Sequence, residues 1–330
     1  MSRTNAAILL RRRPEGMPVA EDFELVERPA PEPAEGEVLV RAHWLSLDPY
    51  MRGRISGAQS YARPVGIGEV IEARTVGQVA ESRAPGFAAG DWVMGAYGWQ
   101  VFSALPAGQL VKLDPAEAPV QTALGVLGMP GLTAHVGLSD IGQPKAGETL
   151  VVSAASGAVG AIVGQLAKQA GCRVIGIAGG AEKCRYVTEE LGFDAAIDHR
   201  GDLAAGLEAH APGGIDVYWE NVGGAVQEAV FPRLNNFGRM VMCGMIAEYN
   251  GPARPGPSLM SAVRKRLRIQ GFIVSDSWRR YPEWRTLAAP MVRDGRLKYR
   301  EDVVEGLSNA PAAFIGLLQG RNFGKLLVRL

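Results

Sequence analysis

At 330 residues, 47% of them hydrophobic, with Lys plus Arg at 35 against Asp plus Glu at 34, the chain has enough apolar side chains for a sizeable core and almost no net charge. That length exceeds what one hydrophobic core usually organises, so two domains are expected. Balanced charge leaves no footprint for nucleic acid or an anionic membrane surface, and the expected partners are small molecules.

The chain opens with a short apolar run ahead of Arg11, Arg12 and Arg13. This is the reverse of the order in a secretory signal, so export is not expected. No stretch approaches the roughly 20 apolar residues that span a bilayer as a helix. Three scattered cysteines, Cys172, Cys184 and Cys243, form no Cys-x-x-Cys pair. They signal neither a disulfide framework nor a zinc lobe, and a cytoplasmic location is expected.

The first third is dense in Gly and Pro. Its β-type runs at 38–42, 66–74 and 91–96 are separated by turn residues and predict a mostly β domain. From about Gly147 apolar strands alternate with helical segments, the pattern of a parallel sheet covered by helices. Strands are predicted at 149–153, 172–177, 195–198, 215–221, 239–244 and 267–274. Between the first two, Val159, Ile162, Val163, Leu166, Ala167 and Ala170 recur at helical spacing on one face. The Pro- and Gly-rich stretch 250–257 reads as a loop over a ligand site, and 323–330 as a final strand returning to the first domain.

After the strand at 149–153 comes Ala155-Ser156-Gly157-Ala158-Val159-Gly160, which is G-x-G-x-x-G with Ala in the first place. Gly157 lets backbone approach a pyrophosphate, Gly160 lets helix and strand pack closely, and the helix N-terminus supplies N–H groups. A bare tight turn is the alternative, but the setting between strand and helix favours a dinucleotide site. An NAD enzyme presents Asp or Glu at the end of the second strand, and this chain has Gly179 and Gly180 there, followed by Glu182 and Lys183. Small residues leave room for a 2′-phosphate and an ammonium attracts it, so NADPH is the expected cofactor.

Residues 153–168 (SAASGAVGAIVGQLAK) and 179–186 (GGAEKCRY) resemble the zinc-independent medium-chain dehydrogenase/reductase superfamily. Within it they are most similar to the prostaglandin reductase, plant alkenal double-bond reductase and curcumin reductase group. Further matches are 45–52 (LSLDPYMR), 128–134 (GMPGLTA), 220–224 (ENVGG), 243–250 (CGMIAEYN) and 322–325 (NFGK). The resemblance implies an α/β fold with two parts: a GroES-like β domain from 1–127 and 298–330, and a Rossmann doubly wound parallel sheet over 128–297. It implies that Lys183 holds the 2′-phosphate and that Asn221 and Asn322 contact the cofactor. Around the cofactor it adds Met129, Thr133, Ser156, Gly157, Ala158, Val159, Gly160, Cys243, Gly244, Phe272, Ile273 and Val274. Where many relatives carry a tyrosine near that phosphate, this chain reads Asp198-His199-Arg200. His199 either bonds or stacks there, or is a surface residue after a strand.

Reducing a conjugated double bond puts negative charge on the carbonyl oxygen, so the site needs a donor. The histidines, His43, His135, His199 and His210, form no zinc-ligand pattern, and no metal is expected. A phenol stays protonated at neutral pH, and Tyr249 matches the family's tyrosine in this role. Tyr50 is the second candidate, with packing at a turn as its alternative. Arg52 is expected to brace its loop or meet the cofactor. Trp278 and Tyr281 are the aromatics best placed for a substrate pocket, and Arg264, Lys265, Arg266 and Arg268 form a basic cluster whose bland reading is a solvated face. The leading function is NADPH-dependent reduction of apolar 2-alkenals and 2-alkenones. Quinone reduction, a non-catalytic NADPH-binding role and, last, a zinc alcohol dehydrogenase are the alternatives. The resemblance also implies a homodimer.

Overall fold

A computed structural model describes residues 3–58, 60–252 and 255–330. The chain divides into two compact units, Met1–Leu124 with Glu301–Leu330, and Gly125–Arg300. The first unit begins with strands β1 (Thr4–Leu10) and β2 (Phe23–Pro29), an antiparallel ribbon. It continues through β3 (Glu37–Ser46), β4 (Thr75–Ser82), β5 (Trp92–Gly95), β6 (Phe102–Pro106) and β7 (Val111–Leu113). The second unit holds β8 (Thr149–Ser153), β9 (Arg173–Ala178), β10 (Ala195–Asp198), β11 (Ile215–Glu220), β12 (Leu234–Met242) and β13 (Arg268–Gly271). The chain ends with β14 (Glu301–Glu305) and β15 (Lys325–Arg329), back in the first unit.

In the first unit the sheet order is β14-β15-β3-β4-β5-β7, with β6 also on β3. β15 runs antiparallel to β3 and parallel to β14, so the apolar tail Leu326, Leu327 and Val328 is buried in the sheet begun by the N-terminal strands. Trp99 is fully buried between Phe23, stacked at 5.8 Å, and Phe314, edge-on at 5.7 Å. The run 66–74 is not a regular strand. Gly68 turns at φ 80°, and the segment meets β1 through the isolated bridge Leu9–Val70 and the Gly68 N–H donating to the Leu10 carbonyl, so the regular strand begins at Thr75.

The second unit is a six-stranded sheet in the order β10-β9-β8-β11-β12-β13, every pair parallel. Counted from β8 this is 3-2-1-4-5-6, the doubly wound Rossmann arrangement. Its inner strands read as apolar runs because both faces are covered, whereas the edge strand β13 is exposed, and Val151, Ile175, Ile215 and Tyr218 are all fully buried in one core cluster. The largest departures from the sequence reading are at β12 and β13. β12 starts at Leu234, five residues early, through the irregular stretch where Phe237 takes φ 64° and the pairing with β11 slips between Ile215 and Val217. Such an interrupted, polar start carries no alternation to read. β13 stops at Gly271, which leaves Phe272, Ile273 and Val274 outside regular pairing.

Candidate functional site

The strand β8 leaves the sheet through Ala154, a non-glycine residue at φ 50°. Such a conformation costs of order 1–3 kcal/mol and persists only where its surroundings enforce it. Here the Ala154 carbonyl accepts from the Gly157 N–H at 2.9 Å, closing the turn. With α1 (Met51–Arg54) in the first unit and α2 (Met129–Val136) opening the second, the helix that follows the turn is α3 (Gly160–Gln169), with Val159 as its N-cap. A methyl placed on Gly160 would collide with the Ala154 carbonyl and lie 3.1 Å from the Ala155 Cα, whereas one on Gly157 would lie 3.1 Å from the Ala154 oxygen. Only glycine lets strand and helix approach this closely, and the bare backbone of the turn fits a dinucleotide phosphate. Ser156 lies buried in the same turn, next to the half-buried Ala158.

β8 and β11 are neighbours at the point where strand order reverses, and buried polar groups join them there. Glu220, fully buried, accepts from Ser153 Oγ at 2.9 Å, Tyr218 Oη at 2.7 Å and the Val222 N–H at 2.7 Å. Burial, and then this carboxylate, push the Tyr218 phenol well above its ordinary range. Asn221 donates from Nδ2 to the Ser153 carbonyl at 2.7 Å and accepts from Trp219 Nε1 at 3.1 Å. Both polar atoms of the Asn221 amide thus brace the loop. The Glu220 carbonyl accepts from the N–H groups of Cys243 at 2.9 Å and Gly244 at 3.1 Å, tying the end of β12 to the same knot.

Beyond β12 a 3₁₀ turn over Ile246–Glu248 brings Tyr249 back over the strand end. A methyl on Gly244 would sit 3.0 Å from the Tyr249 hydroxyl, so the phenol lies against bare backbone. Tyr249 is half-buried. Burial pushes the Cys243 thiol up to about 12, which keeps it a neutral thiol. Phe272 packs edge-on against Trp219 at 6.0 Å, with Ile273 and Val274, both half-buried, following it into the next turn. On α2 the Thr133 hydroxyl donates to the Met129 carbonyl at 2.8 Å. The predicted loop 250–257 lies partly outside the described residues, at 253 and 254.

At the far end of β9, Gly179 and Gly180 precede the short helix α4 (Ala181–Arg185), with Gly180 at φ 91°. Asp198, at the end of β10, accepts on Oδ1 from the Gly180 N–H at 2.9 Å and the Arg200 N–H at 3.0 Å. Those two bonds hold its carboxyl below the usual range. His199 and Arg200 lean over the glycines. A methyl on Gly179 would lie 2.8 Å from His199 Nε2, and one on Gly180 would lie 3.0 Å from Arg200 Nη1. Lys183 is half-buried on α4 and Glu182 exposed beside it. Sequence reasoning passed over Arg200, although it directly follows His199.

In the first unit, Tyr50 caps α1, half-buried, with the Arg54 guanidinium 5.7 Å from its ring centroid. Burial, and then the Asp48 carboxylate, raise its phenol far above the ordinary value, so it stays protonated. Arg52 is buried and donates to the Gly16 carbonyl at 2.8 Å, which makes it a brace of its loop. Asn322 Nδ2 donates to the Gly324 carbonyl at 2.8 Å.

Among the described residues no three His, Cys, Asp or Glu side chains are grouped to hold a metal, and no helix is long and apolar enough to cross a membrane. The basic cluster is partly used up in structure. Lys265 donates to the carbonyls of Pro232 and Leu234, Arg268 donates to the Asp140 carbonyl, and Arg266 stacks over Phe237 at 4.4 Å. Trp278 stacks on Tyr281 at 4.7 Å.

A family described as the N-terminal domain of oxidoreductase matches residues 6–113, and one described as zinc-binding dehydrogenase matches residues 158–292. NADPH-dependent curcumin reductase of Escherichia coli is 50% identical over 99% of this chain and 97% of its own length. The NADP(+)-dependent 2-alkenal reductase of Nicotiana tabacum is 40% identical over 98% of this chain and 97% of its own. The crystal structure of CurA from Vibrio vulnificus in complex with NADPH superposes with a TM-score of 0.94 at 49% identity, covering 98% of each chain.

Proposed function

The chain belongs to the zinc-independent medium-chain dehydrogenase/reductase superfamily, and within it we propose that it uses NADPH to reduce the carbon–carbon double bond of α,β-unsaturated ketones and aldehydes. The observation that carries this reading is the Tyr249 hydroxyl set against the bare backbone of Gly244 at the carboxyl end of β12. Ligands of open α/β sheets bind beyond the carboxyl ends of the strands, so this phenol stands where a substrate oxygen has to be met.

The residues assigned to the cofactor divide by what they offer. Ser156, Gly157, Ala158, Val159 and Gly160 receive the pyrophosphate on backbone and helix N-terminus. Lys183 and His199 face the 2′-phosphate. Asn221, Cys243, Gly244, Phe272, Ile273, Val274, Met129 and Thr133 line the remaining length, and Asn322 is the cofactor residue assigned on the first unit. When bound, NADPH supplies a hydride to the β-carbon of the enone. Tyr249 donates its hydroxyl proton in a hydrogen bond to the carbonyl oxygen, where negative charge grows, and so lowers the barrier. Tyr50, on the first unit and kept protonated by burial, is the second candidate donor. Apolar enones, including diarylheptanoid-like and keto-lipid compounds, are the substrate class, and the reading places a homodimer in the cytoplasm.

The test follows NADPH absorbance with a panel of enones and quinones for the wild type and Tyr249→Phe, repeated with NADH. Enone kcat is expected to fall about 100-fold or more in the variant, the usual effect of removing one donor to a developing oxyanion. Quinone turnover that is faster than enone turnover and indifferent to Tyr249 would replace this reading with quinone reduction. No turnover of any acceptor would leave a binding protein.

A further inference from the structure

The charged corner at the ends of β9 and β10 supports one more step, which rests on the NADPH reading above. We infer that Arg200 is a specificity-determining residue that grips the cofactor's 2′-phosphate, in the place where NAD-using folds of this kind put a carboxylate.

In a Rossmann unit the side chain at the end of the second strand meets the ribose 2′ position, and a carboxylate there selects the hydroxyl. Here that strand ends at Ala178 and is followed by Gly179 and Gly180, which offer no side chain. The space is filled from the neighbouring strand end instead. A methyl on Gly180 would lie 3.0 Å from Arg200 Nη1 and 3.5 Å from its Cζ, and one on Gly179 would lie 2.8 Å from His199 Nε2 and 3.7 Å from Arg200 Nη2. The guanidinium therefore covers the position that a selecting carboxylate would occupy, and it carries the opposite charge.

Asp198 builds this arrangement. Its Oδ1 accepts from the N–H groups of both Gly180 and Arg200, pinning the two strand ends together and turning the only carboxylate of the β10 end onto backbone. The Arg200 side chain is exposed and makes no hydrogen bond or ion pair among the described residues, so its fork of donors is open to a ligand. Guanidinium is permanently charged and matches phosphate with paired N–H donors, whereas the Lys183 ammonium adds a point charge. Arg200 thereby supplies the binding that the missing tyrosine of the family pattern would have supplied.

The test is calorimetric titration of cofactor-free protein with NADPH, NADH, adenosine 2′,5′-bisphosphate and 5′-AMP, for the wild type, Arg200→Ala and Arg200→Lys. Because the side chain is exposed, both variants are expected to fold, and melting curves check this. Arg200→Ala is expected to weaken NADPH and the bisphosphate about ten-fold or more, as loss of a charge-assisted hydrogen bond does, and to leave NADH and 5′-AMP within about two-fold. Arg200→Lys should recover part of the loss. Equal weakening of all four ligands, or no weakening of any, overturns the inference, as does a wild type that fails to tell the bisphosphate from 5′-AMP. Enone turnover is measured in parallel. If it is absent while the Arg200-dependent discrimination stands, the enone reading fails and this inference holds.

Discussion

Ser153 donates its hydroxyl to Glu220 at 2.9 Å across the two strands where the sheet reverses its order, with both side chains fully buried. The same carboxylate takes the Tyr218 hydroxyl and the Val222 N–H, so one buried group satisfies three donors beneath the loop of Asn221 and the end of β12. Glu220→Ala would leave the Tyr218 hydroxyl and the Val222 N–H without that acceptor, at a cost of about 1–3 kcal/mol each, while the Ser153 hydroxyl keeps the Trp219 carbonyl at 3.3 Å. A loss of at least about 2 kcal/mol is expected in urea melts. Glu220→Gln, which keeps the shape and most of the bonds, should lose about 1 kcal/mol. A Glu220→Ala protein as stable as the wild type would remove this carboxylate from the account of how the loop is held.

A second buried polar contact fixes the first unit. Lys325 Nζ donates to Asp48 Oδ1 at 2.8 Å and to the Leu47 carbonyl at 2.7 Å, and both charged side chains are almost wholly buried. The pair ties the last strand to the segment that carries Tyr50. Lys325→Met strands the Asp48 carboxylate, and breaking a buried pair by one partner costs about 3–5 kcal/mol. The double variant Lys325→Met with Asp48→Asn should regain part of that, since no lone charge remains. Melts of the four proteins give the coupling directly, and additive losses would mean that the pair acts as two independent side chains.

The Rossmann half was the more legible in the sequence, because β8 to β11 are apolar runs of ordinary length at regular spacing, each buried on both faces. Thr149–Ser153 and Ala195–Asp198 stand at the predicted bounds, and Ile215–Glu220 ends one residue short. The first unit was harder. β1 and β2, seven residues each, do not alternate cleanly between buried and exposed, and the run 66–74 reads as a strand although it holds an isolated bridge, Leu9–Val70, in place of a regular ladder. Arg200 was passed over because its place depends on two glycines that follow another strand, a tertiary relation that spacing along the chain does not carry. Lys325 and Glu220 were missed as buried anchors for a similar reason, since sequence alone reads a charged residue as exposed.

Gly160 is the position in the turn after β8 that tolerates no side chain. A Cβ there meets the Ala154 carbonyl, which is backbone held by its own bond to the Gly157 N–H. Gly160→Val is therefore expected to lose about 1–3 kcal/mol through overpacking. It should also abolish the rise in melting temperature that NADPH gives the wild type. Gly157→Ala, whose added methyl would meet the same oxygen at 3.1 Å, should lose less. Equal stability of wild type and Gly160→Val would mean that strand and helix can part here without penalty.

Asp198 links acid stability to the corner formed by Gly180 and Arg200. Its carboxyl is held below the ordinary aspartate range by the N–H groups of Gly180 and then Arg200. A carboxyl whose folded pKa lies below its unfolded pKa stabilises the fold above the unfolded value, about 3.9, and the contribution drains away as pH falls through the folded value. Asp198→Asn keeps an acceptor oxygen but cannot ionise, so it lacks this pH-dependent share. The variant should melt below the wild type at neutral pH, and the gap should close as pH falls below about 4. Because the same two bonds set Arg200 over Gly180, NADPH affinity in the variant should drop at neutral pH while NADH affinity holds. A melting gap that persists unchanged into acid would show that Asp198 acts through shape alone and that its ionisation contributes nothing to the corner.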